Sequence, residues 1–392
     1  MNKFLLVILV ILIVTLIGVY VVFSQQIPNP NQGTPITSGS PSPDSSPQNS
    51  VTTFKYKTVS FTDTQGIGTK AFSMLVPDGW QSSGNIQWIL DNPAMPAFGS
   101  FKVWNPNGAE EYNYFANQAY FWSDNPMVKQ TFPEGSRYFG AEVRQPLSPT
   151  EALKQIVFPM HRANAQNVVV KAEQQLPELS NLVQTGTDAA TGTSTSASGG
   201  KIRVEYTLNG VPMEEEMYCL IQTLNIPIPT YTGTYQNVNW YLTYLQSFRA
   251  EKGQLDSQTK LFQTISYSAK TDPNWLNKYD QVVNYLIQKQ IQQIQSLGQL
   301  SSIISQTSNE ISDANYESWQ RTQTINDQIA TDFSNYIRGV QTYNNPIDGS
   351  TVDLPSDYSY AWGNSLGEYI LSDSAGFNPN IGSNLNWEQL TP

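Results

Sequence analysis

From Phe4 to Phe23 the chain runs for twenty residues without a charge. At about 1.5 Å per residue such a helix covers roughly 30 Å, the hydrocarbon thickness of a bilayer, so residues 4–23 are expected to be a transmembrane helix in contact with lipid. The competing reading is a cleaved signal peptide. Its apolar region would run for only about 7–15 residues, and Val22-Phe23-Ser24 is a poor small-x-small cleavage site. Lys3 precedes the run and the next positive residue is Lys55. The positive-inside bias therefore makes residues 1–3 a cytoplasmic tail and places the remainder outside the cytoplasm. The expectation is a single-pass, signal-anchored membrane protein.

Residues 24–51 form a Pro/Ser/Thr-rich linker, with prolines at 28, 30, 35, 41, 43 and 47. Such a segment buries too little apolar surface to fold, and its prolines keep it extended. No Asn-x-Ser/Thr sequon occurs in the chain, which favours a prokaryotic cell surface over a glycosylated eukaryotic ectodomain.

Beyond the linker the composition is globular, since aromatics make up 12% of the chain. A net charge of -11 repels phosphate backbones, so nucleic acid is not expected as a partner. A single cysteine, Cys219, rules out an internal disulfide and reads as a small buried apolar residue. The single histidine, His161, leaves no set of ligands for a His/Cys zinc site.

Residues 52–271 read as an α+β extracytoplasmic domain. Phe54 to Phe61, Lys70 to Val76, Ile86 to Leu90 and Ser100 to Trp104 have the β-branched and aromatic content of antiparallel strands. Ser148, Pro149 and Glu151 form a capping box with proline at the first helical position, which predicts a helix over 149–158 stopped by Pro159. Val168 to Val170 is a short strand, and Gln184 to Gly200 reads as a mobile surface loop. Lys201 to Tyr206 alternates, turns at Asn209-Gly210 and returns through Met217 to Leu224, a hairpin. Asn239 to Phe248 is a further strand, and Asp256 to Ala269 has helical spacing.

Residues 272–340 carry apolar side chains three, four or seven apart without an interrupting proline after Pro273, which predicts a long helical segment, either one helix or a hairpin broken near Ser305 to Ser312. Residues 341–392 read as a small C-terminal β-meander. The expected fold class is thus α+β: a mainly antiparallel sheet with packed helices, a long helical segment and a C-terminal β extension, preceded by one transmembrane helix.

Phe72 to Trp80, Pro146-Leu147-Ser148-Pro149 opening a helix, and Ser268 to Trp275 closing one give residues 54–275 an order that resembles the Mog1/PsbP-like domains. The whole chain resembles uncharacterised prokaryotic membrane-anchored surface proteins. The Mog1/PsbP resemblance implies a fold used mainly for binding and assembly.

The chemistry sought in the sequence is absent. There is no Gly-x-Ser-x-Gly elbow, and a triad would rest on His161 alone. Gly199-Gly200-Lys201 lacks the spacing of a phosphate loop, and Gly66-Ile67-Gly68 lacks the third glycine of a dinucleotide fingerprint. Asp348 to Asp353 departs from the EF-hand pattern and reads as a turn, and Glu214-Glu215-Glu216 reads as the solvated face of a strand. No catalytic, cofactor-binding or metal-ligating residue and no cofactor is assigned. The function expected is a non-enzymatic binding or structural module of the cell envelope with a protein or glycan partner. The alternative is a glycan-binding protein, or a glycan hydrolase using a carboxylate pair, which sequence spacing does not reveal.

Overall fold

The computed structural model describes residues 53–89, 95–183, 185–231, 233–289, 296–309, 340–356 and 358–392. The expected transmembrane helix at 4–23, the linker at 24–51 and the helical pattern over 310–339 lie outside the described residues. Along the chain come β1 Phe54–Thr62, β2 Lys70–Pro77, β3 Gln81–Trp88, β4 Ala97–Trp104, β5 Glu111–Tyr114 and β6 Gln118–Ser123, then α1 Pro126–Thr131, β7 Arg137–Tyr138 and β8 Ala141–Val143. A helix α2 over 149–161 leads to β9 Gln166–Gln175, β10 Gly186–Thr187, β11 Ser194–Leu208, β12 Val211–Thr230 and β13 Gly233–Glu251. Helix α3 Thr259–Tyr267, β14 Lys270–Thr271, α4 Pro273–Gln288 and α5 Leu297–Asn309 follow. The C-terminal strands are β15 Val340–Asn344, β16 Thr351–Pro355, β17 Tyr360–Asn364, β18 Glu368–Ser372 and β19 Trp387–Gln389.

One sheet has the order β14-β2-β1-β18-β17-β19, so strands from the two ends of the described chain meet where Tyr56 opposes Tyr369. The other runs β10-β11-β12-β13-β5-β4-β3, with β6 on β13 beside β5, and β9 on β11. A first core lies between β1-β2 and β3-β4-β5 and is closed by α3, α4 and α5 through Phe262, Trp275, Val282, Leu286, Leu300 and Ile303. A second lies under α2, where Leu153, Val157 and Phe158 meet Val204, Met217, Cys219, Trp240 and Leu242.

Three expectations are corrected here. Among the described residues strand outweighs helix 48% to 20% and the sheets are curled, so the described fold is mostly β rather than an α+β chain with a long helical segment. Helix α4 ends at Gln288, and α5 packs against it: Val282 and Leu286 share a core with Leu300 and Ile303, and Tyr285 Oη bonds Gln306 Oε1 at 2.9 Å. A folded-back helix pair keeps the same apolar period as one long helix, which is why the sequence did not separate them. Among the described residues no helix is long and apolar enough to cross a membrane. The longest, α4 with 16 residues, reaches only about 24 Å at 1.5 Å per residue. No described helix therefore supports the single-pass, signal-anchored location, whose expected helix at 4–23 lies outside the described residues.

Pro159 does not stop α2. The capping box forms as read, Ser148 Oγ accepting from Glu151 N, but a π-turn at Leu153–Val157 carries the helix on to His161. Phe158 N donates to Leu153 O five residues back. This widened turn takes up the clash that a proline ring makes with the carbonyl four residues before it. Nor is Gln184 to Gly200 all loop, because Ser194–Gly200 pairs with β12 from Asn225 to Cys219. Its glycines serve close packing. A Cβ on Gly199 would lie 2.5 Å from Leu179 Cβ, and one on Gly200 2.8 Å from Pro149 Cβ.

Strand β13 changes phase at Tyr244, whose φ of 49° is a left-handed conformation unusual for a bulky residue. The register slips there from Tyr218↔Gln246 to Leu220↔Thr243. Val238, Trp240 and Leu242 before the bulge, and Leu245 after it, consequently face the same core, as a continuous alternation would not allow.

Helix α4 carries an acid in an apolar setting. Burial pushes the Asp280 carboxyl up to about 6. A group whose folded pKa exceeds its unfolded one favours the folded state below the unfolded pKa and loses that contribution as pH rises through the folded value. Asp280→Asn is therefore expected to stabilise the protein by about 1–3 kcal/mol at pH 7, with the gain vanishing below about pH 4. Urea denaturation of both proteins across pH 4–8 checks this.

Candidate functional site

The densest group of charged side chains under cover lies where the C-terminal end of α2 meets the sheet. Val204, Glu215, Arg249 and Glu111 occupy one row across β11, β12, β13 and β5. Arg162 enters from the residue after α2, where a cation also suits the unpaired carbonyls of a helix end. Its Nε and Nη2 clasp Glu215 at 2.8 and 2.6 Å, and Nη2 also reaches Glu111 Oε1 at 3.2 Å. Tyr206 Oη donates to Glu215 Oε2 at 2.5 Å. Glu111 further accepts from Arg249 Nη2 at 2.9 Å, Asn113 Nδ2 at 2.8 Å and Lys102 Nζ at 2.5 Å. Glu215 is fully buried and Glu111 is 3% exposed.

The electrostatics follow from this crowding. Burial pushes the Glu111 carboxyl up, but Arg249, Lys102 and Arg162 together outweigh it and hold it below the usual carboxylate range. Burial opposes the charge on Arg162 as well, and Glu215 more than restores it, keeping the guanidinium charged. Burial raises the Tyr206 phenol, with Glu215 adding to the effect, so it stays a donor.

Two acids brought together by one guanidinium resemble a glycoside hydrolase pair in proximity alone. Such a pair needs one protonated acid and room for a sugar between the two. Here Arg162 fills the gap and Glu111 is held ionised. The arrangement neutralises buried charge and fixes α2 on the sheet.

The residues singled out from the sequence fall in different places. His161 stacks on Phe115 with ring centroids 3.9 Å apart, its Nε2 is without a partner among the described residues, and burial, then Arg162, pushes its pKa down to about 4. Cys219 is buried against Pro149 O, and burial raises its thiol pKa. Asp348 caps its turn by accepting from Ser350 N and Oγ. Glu214-Glu215-Glu216 is not a solvated face: Glu214 pairs with Arg203 at 2.7 Å, Glu215 with Arg162, and Glu216 with Lys201 at 3.1 Å. Among the described residues no group of acids, histidines and cysteines has the arrangement of a metal site.

Sequence reasoning missed Glu111, Arg162, Arg249 and Lys102. A signal existed for Glu215, which takes the inward place between Met213 and Met217 in an alternating strand. An acid at a core-facing position calls for a buried cation.

A second feature lies at the sheet's margin. All ten residues of β9 are exposed, and among the described residues it pairs with β11 alone. Val168, Val169 and Val170 are 44%, 50% and 39% exposed. Val169 and Val170 pair in register between two register breaks, and Val168 falls in the break that precedes them, so the backbone there presents one side outward. Val170 opposes the core residue Val204 and Val169 opposes Glu205, so the valines alternate between the two faces of the sheet.

No protein-family model matches the chain, and no curated protein matches it.

Proposed function

We propose that this protein is a non-enzymatic binding module that takes an extended, uncharged, apolar polypeptide segment by strand addition along β9. The observation that carries this reading is the open edge Gln166–Gln175 with its exposed valine triplet. Unpaired backbone groups along an edge are satisfied by another extended chain, and side-chain contacts on alternate faces then select its sequence. Lys171 and Glu173, which follow the triplet, pair with Glu205 and Lys154, so the edge favours no strongly charged partner. The tryptophans support a polypeptide over a glycan. Trp88, Trp240, Trp275 and Trp387 are buried, and Trp80, Trp104, Trp122 and Trp362 are half-buried, so no described tryptophan stands fully exposed for a sugar to stack on. The resemblance of residues 54–275 to a fold used for binding and assembly agrees with this reading.

Selection from a random-peptide library tests it. The full chain is expected to enrich peptides with alternating apolar residues, and a Val168→Lys/Val169→Lys variant is expected to lose them. Enrichment that the variant retains, or no enrichment at all, contradicts the reading.

A further inference from the structure

The buried cations Arg162 and Arg249 match the carboxylates Glu111 and Glu215, and Lys102, its side chain 41% exposed, is a third cation at the margin of the cluster. Lys102 and Asn113 are direct cross-strand partners on β4 and β5. Their Cβ atoms are therefore about 4.5–5.5 Å apart and on the same face, well within the reach of a lysine side chain. Glu111, on that face two residues before Asn113, touches both: Lys102 Nζ is 2.5 Å from its Oε2, and Asn113 Nδ2 donates to its Oε1 at 2.8 Å. An amine, a carboxamide and a carboxylate bridging the two are the parts of an amide-exchange reaction. Asn113 is 7% exposed, so bulk water competes little for its carbonyl carbon.

We propose that Lys102 and Asn113 form an intramolecular amide cross-link, with Glu111 relaying a proton between them. The half-exposed Lys102 ammonium gives up a proton to solvent, and the freed Nζ lone pair attacks Asn113 Cγ. A C–N bond forms, and the second proton of Nζ passes through Glu111 to Nδ2. The Cγ–Nδ2 bond breaks and its nitrogen leaves as ammonia, which takes up a proton from solvent as ammonium. No oxidant, metal or co-reactant is required. The reaction is slow between free groups, but holding the two side chains on one face of paired strands with a shared partner raises their effective concentration, to about 10⁵–10⁸ M in well-oriented cases. The distance from Lys102 Nζ to Glu111 also suits proton transfer. The product ties β4 to β5 covalently and leaves two cations facing two carboxylates.

Intact-mass measurement on the full-length protein tests this. The expected mass is below that of the sequence by one ammonia, about 17 Da. Cleavage after glutamate then separates the cross-link from a loss of ammonia at a single asparagine. It cuts at Glu110 and Glu111, between the linked residues, and the two pieces are expected to stay joined. Lys102→Arg keeps the ion pair at a side chain 41% exposed and should fold, yet it is expected to show the full mass and pieces that part, as are Asn113→Ser and Glu111→Gln. The full sequence mass in the folded wild type, or pieces that separate after cleavage, overturns the proposal.

Discussion

Arg162→Met is expected to destabilise the protein by about 3–5 kcal/mol, the usual result of removing one partner from a buried ion pair. Glu215 is fully buried and would keep Tyr206 as its only hydrogen-bond donor among the described residues. Glu111 would still hold Arg249, Lys102 and Asn113, so the damage centres on Glu215. The double variant Arg162→Met/Glu215→Met should recover most of the loss, because a buried ion pair replaced by apolar groups of similar size is often neutral or stabilising. Urea midpoints at unchanged m-value measure all three. A double variant no more stable than Arg162→Met would show that the pair does not act as a unit.

Asp63→Ala is expected to have a comparable effect, about 3–5 kcal/mol, by leaving several buried donors without an acceptor. The Asp63 carboxylate is fully buried and accepts from Gly66 N and Ile67 N, both at 2.9 Å, from Trp88 Nε1 at 3.1 Å and from Trp275 Nε1 at 2.9 Å. It thereby joins the β1–β2 loop, β3 and α4. Asp63→Asn keeps the size but sets an NH₂ group against donors, so it should recover only part of the loss. Trp88→Phe or Trp275→Phe removes one donor with most of the ring, and each should cost far less than Asp63→Ala. Thermal unfolding of the four variants followed by circular dichroism checks the order, and a Trp→Phe variant as damaging as Asp63→Ala would contradict it.

Features decided within a few neighbouring residues were legible in the sequence. The turn at Asn209-Gly210, with φ of 52° and 82°, and the capping box at Ser148 lie where the sequence puts them. Features decided by packing were not. The proline at 159 reads as a stop because the π-turn that accommodates it leaves no mark in the pattern. The phase change at Tyr244 depends on β13 pairing with β6 before the bulge and β5 after it, which no local window contains. The site was hidden for the same reason. Arg162 lies 51 residues from Glu111 and 53 from Glu215, and only the docking of α2 brings the three together. The exposed valines of β9 were read as a strand, but its place at the margin of the sheet belongs to the tertiary fold alone.

The proposed role needs the β9 edge to be open in the whole protein, and native-state hydrogen exchange on the full chain tests that most directly. Alternate amides across Gln166–Gln175 should point away from β11 and exchange nearly as fast as in an unfolded chain, while the central amides of β11, β12 and β13 exchange only with global unfolding. Uniform strong protection of the β9 amides would mean that the edge is already covered, and would contradict the role assigned to it.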